Sequence, residues 1–172
     1  MANFRSFAQS RLAWLILALS AIGLELTALF FQYGLKLDPC VLCIYQRLAV
    51  FGLFVSGLVG ISSGNKFIRI IALLIWGYSA FIGLQFANEL VAMQTNPSPF
   101  STCGFLPDFP SFLPLHEWFP SILMPSGMCT DDAWGLWELS MAQWMQVIFS
   151  CYLILLAIFV YPVIAEIKKT KD

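Results

Sequence analysis

The chain has 172 residues, of which 59% are hydrophobic and only 11% are charged. Soluble domains are about half apolar and about one-quarter charged, so this composition excludes an ordinary soluble domain and indicates a protein built for lipid. The net charge of −1, with no basic cluster before the C-terminal tail, argues against nucleic acid as a partner.

Four apolar runs are long enough to cross the hydrocarbon core of a bilayer, which takes about 20 residues as a helix. The first run is longer than the apolar region of a signal peptide and lacks a convincing cleavage site, so we interpret it as a retained anchor. We therefore predict an all-α membrane protein, a four-helix transmembrane bundle that forms a single membrane domain over residues 1–172. The predicted spans are about 12–31, 41–61, 68–90 and 144–163, and one long loop covers about 91–143.

The predicted loop 91–143 differs in character from the spans. Its prolines are too many for a regular helix or a central strand, and its many aromatic side chains argue against simple disorder. These prolines are Pro97, Pro99, Pro107, Pro110, Pro114, Pro120 and Pro125. We expect part of the stretch Phe109–Met124 to lie on the membrane surface, with Trp118 at headgroup depth.

The basic residues predict the orientation of the bundle. With four spans, the two termini and the short second loop share one side, and that side carries most of the lysines and arginines. The long loop has no basic residue and several acidic ones. The positive-inside rule therefore places both termini in the cytoplasm and the long loop in the periplasm. The residues on the cytoplasmic side are Arg5, Arg11, Lys66, Arg69, Lys168, Lys169 and Lys171.

A Cys-x-x-Cys motif stands where a polar turn becomes the second span. We expect Pro39 to open the helix, with Cys40 in its first turn and Cys43 at the end of that turn. The positive end of the helix dipole there favours thiolate over thiol. Arg47 lies one turn deeper on the same face as Cys43, and a positive charge just inside a membrane helix is a candidate functional residue. The pattern indicates a redox dithiol with an electrostatic partner.

The long loop carries a second pair of cysteines, Cys103 and Cys129. The predicted topology puts this pair on the same outer face as Cys40 and Cys43, where disulfides persist. Cys151, by contrast, falls in the middle of the fourth span, and we expect it to be a small buried hydrophobic residue.

These residues resemble a known family. The likeness covers nearly the whole chain and is most specific in the cysteines and Arg47. It is carried by Leu24–Leu29, by Pro39–Tyr45 with Arg47, by Pro97–Phe100 before Cys103, and by Ser126 and Gly127 before Cys129. The chain resembles the DsbB family of bacterial inner-membrane proteins, which re-oxidise the periplasmic dithiol oxidase DsbA at the expense of a quinone.

The resemblance implies a multi-pass inner-membrane thiol:quinone oxidoreductase that uses ubiquinone or menaquinone and a periplasmic DsbA-like partner. It also implies the roles of the catalytic residues. The thiolate of the partner attacks Cys103, which releases Cys129 to attack Cys40. Cys43 is then left as a thiolate facing the quinone, and Arg47 binds the quinone beside it.

Simpler structural interpretations remain open for several of these residues. The Cys-x-x-Cys motif is half of a zinc site in some proteins, but His116 is the only histidine and no second close pair exists, so we predict no metal. Arg47 can reach the interface merely as a snorkelling side chain. Glu25 lies inside the first span, and we expect it to have a structural role in a protonated or hydrogen-bonded form. His116 is expected on the surface.

Two other functional classes also remain. The chain can be a non-enzymatic membrane scaffold in which Cys103 and Cys129 form a structural clasp. Within the enzymes, it can be a vitamin K epoxide reductase-like protein or a paralogous thiol oxidase with a dedicated partner. Thiol oxidation that depends on quinone separates the enzymes from the scaffold.

Overall fold

Four long helices dominate the structure, a computed structural model that describes residues 10–62, 64–96, 104, 106–109, 114–130 and 134–169. Each is long and apolar enough to cross a membrane, which confirms the predicted all-α membrane protein with four long helices. They are α1 (Arg11–Tyr33), α2 (Val41–Ser62), α3 (Lys66–Thr95) and α6 (Met141–Lys169). The shorter elements are α4 (Leu115–Trp118), α5 (Pro120–Leu123), β1 (Gly135–Leu136) and β2 (Leu139–Ser140).

Polar side chains mark where two of the long helices begin. The hydroxyl of Ser10 accepts a hydrogen bond from the backbone N–H of Ala13 (3.4 Å) at the start of α1. The side-chain oxygen of Asn65 accepts from the N–H of Phe67 (3.1 Å) at the start of α3. Both bonds satisfy N–H groups that the first turn of a helix leaves without a partner.

The long helices pack in sequence, α1 on α2, α2 on α3 and α3 on α6. Small residues permit the close approach, as is usual for helices in lipid: a Cβ added to Gly57 of α2 would lie 2.8 Å from the Cβ of Ala18 on α1. Trp14 and Trp76 meet edge to face at the centre of the core, with ring centroids 6.1 Å apart. A hydrogen bond from the Tyr152 hydroxyl to the Ser20 hydroxyl (2.9 Å) joins α6 to α1.

Large apolar side chains cover the outside of the bundle as well as its core. A soluble protein rarely exposes so large a continuous apolar surface, whereas lipid is a favourable surrounding for it. The long helices expose Leu12, Leu19, Leu26, Phe30, Leu58, Leu74, Phe81, Ile154, Leu155 and Ile158. The structure therefore describes a multi-pass membrane protein.

The third long helix extends further than its predicted span. It ends at Thr95, after the predicted boundary at residue 90, because Val91, Ala92 and Met93 continue its apolar surface. Asn96 follows as its C-cap, and Pro97 comes next in the sequence.

The described part of the segment between α3 and α6 contains only short elements. Pro120 occupies the first position of α5, where its missing N–H is not needed. The strands β1 and β2 pair antiparallel around Trp137 and Glu138, whose φ angles of 53° and 62° form a tight hairpin turn. Trp118 and Phe119 are exposed, and their position on the membrane surface stays a prediction.

Candidate functional site

The sulfur of Cys40 caps the helix that follows it. Helix α2 begins at Val41, so the expectation that Cys40 lies within the first helical turn is wrong: Cys40 immediately precedes the helix. Its Sγ accepts a hydrogen bond from the backbone N–H of Cys43 (3.3 Å), and its carbonyl accepts the first helical bond, from Ile44 (3.1 Å). The thiol thus occupies the place of a serine or aspartate oxygen at an N-cap.

The two cysteines of the motif are free thiols in different surroundings. Cys40 is buried, with 3% of its surface exposed, whereas Cys43 is half-buried. The pKa of Cys40 is raised because its thiol makes a hydrogen bond with the sulfur of Cys43 and because burial disfavours a charge. Cys40 therefore holds its proton in the reduced protein.

Arg47 lies one turn below Cys43 and connects three helices. Its Nη1 donates to the side-chain oxygen of Gln32 (2.6 Å) and to the carbonyl of Ile122 (3.0 Å), and its Nη2 donates to the carbonyl of Ala28 (3.3 Å). Only 9% of its surface is exposed. Its described partners are thus oxygens of α1 and α5, and the side chain is held inside the protein rather than snorkelling alone to the interface.

Helix α5 is attached to the end of α1 through one carbonyl group. The side chains of Gln32 and Tyr33 both donate hydrogen bonds to the backbone oxygen of Ser121. With the bond from Arg47 to Ile122, this fixes the short helix against the ends of α1 and α2. No local pattern in the sequence predicts this attachment.

Cys129 is held against the turn that carries Cys40. Cys129 is disulfide-bonded and 1% exposed, and it belongs to one buried cluster with Cys40, Leu42, Leu90 and Ala142. The structure therefore brings together three of the four predicted redox cysteines. The fourth, Cys103, lies outside the described residues.

Ser126 and Gly127, which precede Cys129 in the chain, bind the turn before Cys40. We call this contact the Ser126–Gly127 clasp. The N–H groups of Ser126 and Gly127 both donate to the carbonyl of Pro39 (3.0 and 3.2 Å), and the Ser126 hydroxyl donates to Asp38 (2.8 Å). The approach requires glycine, because a Cβ on Gly127 would lie 2.4 Å from the carbonyl oxygen of Asp38.

A cavity of about 520 Å³ opens beside the motif, between α1, α2 and α6. Residues of α2 at spacings of three and four line it, which places them on one helix face. These residues are Cys43, Gln46, Arg47 and Val50. Leu24, Glu25 and Ala28 of α1 and Met145 and Ile148 of α6 form other walls, so the lining is largely apolar with a few polar groups.

Two polar atoms of the cavity wall have no hydrogen-bond partner among the described residues. They are Oε1 of Glu25 and Nε2 of Gln46, and both are buried. A hydrogen-bonded structural role for Glu25 is therefore not seen at Oε1. Gln46 was not among the predicted site residues, although its position three residues after Cys43 on a helix was a usable signal.

Comparison with known proteins assigns the family. The family described as Disulfide bond formation protein DsbB matches residues 10–159. The chain belongs to the DsbB family. Disulfide bond formation protein B of Shewanella loihica is 57% identical over 171 residues, covering 98% of this chain and 99% of that protein. The protein of the same name from Shewanella frigidimarina is 46% identical over 169 residues, covering 98% and 100%.

Membership of the DsbB family confirms a membrane disulfide bond formation protein, an oxidoreductase in the general sense. Matches to proteins of this name extend over almost their whole length, including 56% identity over 167 residues to that of Shewanella amazonensis, with 96% and 99% coverage. The site described above therefore lies in a chain of the same extent as its relatives.

Two side chains of this DsbB-family chain differ from their predicted surroundings. Cys151 is exposed on the outer face of α6 rather than buried, because both faces of a membrane helix are apolar and composition does not reveal which one faces the neighbouring helices. His116 is half-buried, with its ring stacked on that of Phe109 at 5.6 Å between centroids, so it is not a simple surface residue.

Proposed function

We propose that this DsbB-family chain re-oxidises a periplasmic DsbA-type dithiol oxidase and passes two electrons to a membrane quinone, either ubiquinone or menaquinone. The observation that carries the proposal is that the free thiols Cys40 and Cys43 line a cavity and that Cys40 shares a buried cluster with the disulfide-bonded Cys129. A relay between a protein dithiol and a small electron acceptor needs this arrangement.

The first part of the proposed relay uses thiol–disulfide exchange. A thiolate of the partner attacks Cys103, a mixed disulfide forms, and Cys129 leaves as a thiolate. Cys129 then attacks Cys40 of an oxidised Cys40–Cys43 pair, which releases Cys43. The shared buried cluster of Cys40 and Cys129 supports this second exchange, because it places the two residues in the same part of the protein.

The cavity has the properties that a quinone site requires. Small-molecule sites are mostly apolar, of roughly 300–1,000 Å³, with a few polar groups that fix the ligand, and the cavity of about 520 Å³ meets both conditions. The unpartnered Nε2 of Gln46 supplies a hydrogen-bond donor that a carbonyl oxygen of the ligand can satisfy. A quinone bound there supplies a two-electron acceptor.

Cys43 and Arg47 are the residues that would hold the quinone on the α2 side. Both line the cavity from the same helix face. The guanidinium of Arg47 is fixed by its bonds to Gln32, Ile122 and Ala28, so its positive charge stabilises negative charge on the Cys43 sulfur or on the bound acceptor without reorganisation. The low local dielectric of the bundle strengthens that effect.

The site is proposed to face the periplasm of a bacterial inner membrane. The distribution of lysine and arginine supports this orientation, since the basic residues gather at the termini and in the second loop. The alternative, a non-enzymatic scaffold with structural cysteines, requires no acceptor cavity beside a free thiol pair. It predicts a protein that consumes no quinone.

Quinone consumption by the purified protein tests the proposal. The protein in detergent is mixed with a reduced DsbA-type oxidase and ubiquinone-1 or a short-chain menaquinone, and the quinone absorbance is followed. The expected result is one quinone reduced for each partner dithiol oxidised. The matched control is Cys40→Ser, which interrupts the relay at the helix start. If the wild-type protein reduces neither quinone, the result contradicts the proposed function and supports the non-enzymatic scaffold.

A further inference from the structure

We propose that the side-chain amide of Gln46 donates a hydrogen bond to a ring oxygen of the quinone and so helps to set the affinity of the site for its acceptor. The proposal rests on the quinone-dependent function given above, and it adds a binding residue to it. The observation behind it is a buried amide that lines the cavity and has no partner among the described residues.

The burial of Gln46 makes its missing partner informative. Only 3% of the residue is exposed, and its Nε2 has no acceptor among the described residues. Buried polar groups in folded proteins almost always have a hydrogen-bond partner, because an unpaired one costs about 1–3 kcal/mol. An amide donor that lines a ligand-sized cavity therefore points to an acceptor atom supplied by the ligand.

The position of Gln46 suits an oxygen of the ring that Cys43 reduces. Gln46 follows Cys43 by three residues, so it lies on the same face of α2 and about 4.5 Å further along the helix axis. A ring that contacts the Cys43 sulfur extends naturally along this face. A 1,4-quinone carries two carbonyl oxygens, which are hydrogen-bond acceptors with no donor of their own.

Arg47 does not make the amide redundant. The Nη1 atom of Arg47 already donates to two protein oxygens and its Nη2 to a third, so much of its donor capacity holds the helices together. Gln46 has an uncommitted donor on the same wall of the cavity. The structure thus assigns fixed positive charge to Arg47 and a neutral, specific hydrogen bond to Gln46.

Two other acceptors compete with the quinone for this amide. One is a water molecule in the cavity, and the other is the unpartnered Oε1 of Glu25, which lines the same cavity. In either case Gln46 would be a structural residue, and its removal would change the stability of the bundle without changing quinone affinity.

The test replaces Gln46 with residues of similar size that cannot donate. Gln46→Met and Gln46→Leu are purified, depleted of quinone and titrated with ubiquinone-1 in detergent, and the apparent KM for ubiquinone-1 is measured with a reduced DsbA-type partner. A net neutral hydrogen bond is worth about two- to tenfold in affinity. We expect Kd and apparent KM to rise by that factor in both variants, with kcat at saturating quinone within about twofold of wild type.

The matched control is Gln146→Met. The amide of Gln146 donates to Asn88 (2.8 Å) on α3 and does not line the cavity, so this variant removes a glutamine without touching the proposed site. Its Kd for ubiquinone-1 should equal that of wild type. Thermal unfolding of each variant shows which of the two Gln46 substitutions is folded. Only a folded Gln46 variant is then compared with wild type and with Gln146→Met.

The outcomes separate this inference from the function on which it rests. Wild-type protein that reduces ubiquinone-1, together with an unchanged Kd and KM in a folded Gln46 variant, would overturn the role of Gln46 and leave the relay intact. Wild-type protein that neither binds nor reduces the quinone would remove the proposed function itself. A rise in Kd equal in Gln46→Met and Gln146→Met would also count against the inference, because the effect would not be specific to the cavity.

Discussion

The guanidinium of Arg47 on α2 donates a 2.6 Å hydrogen bond to the side-chain oxygen of Gln32 on α1, and the amide of the same Gln32 donates to the carbonyl of Ser121. The side chain of Gln32 thus connects α5 to Arg47, which lines the cavity. The buried charge and the short helix of the long loop belong to a single hydrogen-bonded unit, which makes Arg47 a suitable first target for substitution.

Replacing Arg47 with glutamine is expected to raise the apparent KM for quinone. The fixed charge of Arg47 stabilises negative charge on the bound acceptor, and an interaction with a charged group is worth about 1.5–3 kcal/mol, which corresponds to roughly ten- to a hundredfold in KM. Arg47→Lys should restore only part of the affinity, because lysine keeps the charge but loses the planar fork whose Nη1 and Nη2 reach Gln32 and Ala28 together. Steady-state kinetics with varied ubiquinone-1 measure both effects.

The control for this experiment is Arg69→Gln, an arginine of α3 that does not line the cavity. Its KM for quinone should be that of wild type. An unchanged KM in Arg47→Gln as well would assign Arg47 to helix packing alone.

Serine in place of each redox cysteine should stop turnover at a different step. Cys40→Ser, Cys43→Ser, Cys103→Ser and Cys129→Ser are all expected to lose quinone reduction, because each sulfur carries one exchange of the relay. Cys129→Ser should accumulate a mixed disulfide with the partner, whereas Cys103→Ser should form none, as followed on non-reducing gels. Cys151→Ser serves as the control and should remain nearly fully active. Normal turnover by Cys103→Ser would refute the order of exchange.

Gly127→Ala should slow the transfer from Cys129 to Cys40. The added methyl group would lie 2.4 Å from the carbonyl of Asp38, so the Ser126–Gly127 clasp must open to accept it. We expect a lower rate of quinone reduction with the protein partner and more mixed disulfide, with little change in the Kd for ubiquinone-1.

Gly64→Ala is the matched glycine control, since no described atom beyond its chain neighbours lies within 4 Å of a Cβ at that position. It should behave as wild type in both measurements. Equal rates in Gly127→Ala and Gly64→Ala would show that the clasp does not position Cys129.

The raised pKa of Cys40 predicts a dependence of its reactivity on Cys43. A raised pKa means less thiolate at a given pH, so Cys40 should alkylate slowly with iodoacetamide at pH 8, where an ordinary thiol is partly ionised. Cys43→Ala removes the largest cause, the hydrogen bond to the Cys43 sulfur, and the pKa should fall toward its usual value. Mass spectrometry of Cys40 in a Cys151→Ser background should therefore show faster alkylation in Cys43→Ala. Slower or equal alkylation would contradict this explanation.

Reporter fusions test the orientation of the bundle. The distribution of basic residues predicts that alkaline phosphatase is inactive when fused at Gly64 and active near Pro110, because the enzyme folds only outside the cytoplasm. The opposite pattern would place the cysteines on the cytoplasmic side and would exclude a periplasmic partner.

The four long helices could be predicted from the sequence, because the length and the apolar composition of a span are local properties. Four helices of suitable length occur where apolar runs predict them. The exposure of Cys151 could not be predicted, since helices in lipid are apolar on every side and lack the polar face that marks the outside of a soluble helix.

Several features of the site depend on residues far apart in the chain. The bond from Arg47 to Ile122 and the clasp between Pro39 and Gly127 join the second helix to the long loop, and no local pattern specifies either contact. Gln46 is different, because its helical spacing from Cys43 was visible. The sequence could not show that the amide nitrogen of Gln46 has no hydrogen-bond partner in the described structure.

The Ser126–Gly127 clasp has a kinetic consequence for the proposed exchange between the two cysteine pairs. Its two N–H groups are bonded to Pro39, the residue directly before Cys40, so the chain carrying Cys129 is already docked when exchange begins. Segments held in this way react at a high effective molarity, since the loss of translational and rotational freedom has occurred during folding rather than at the moment of reaction. Electrons would then pass inward at a rate governed by sulfur chemistry and not by a search through loop conformations.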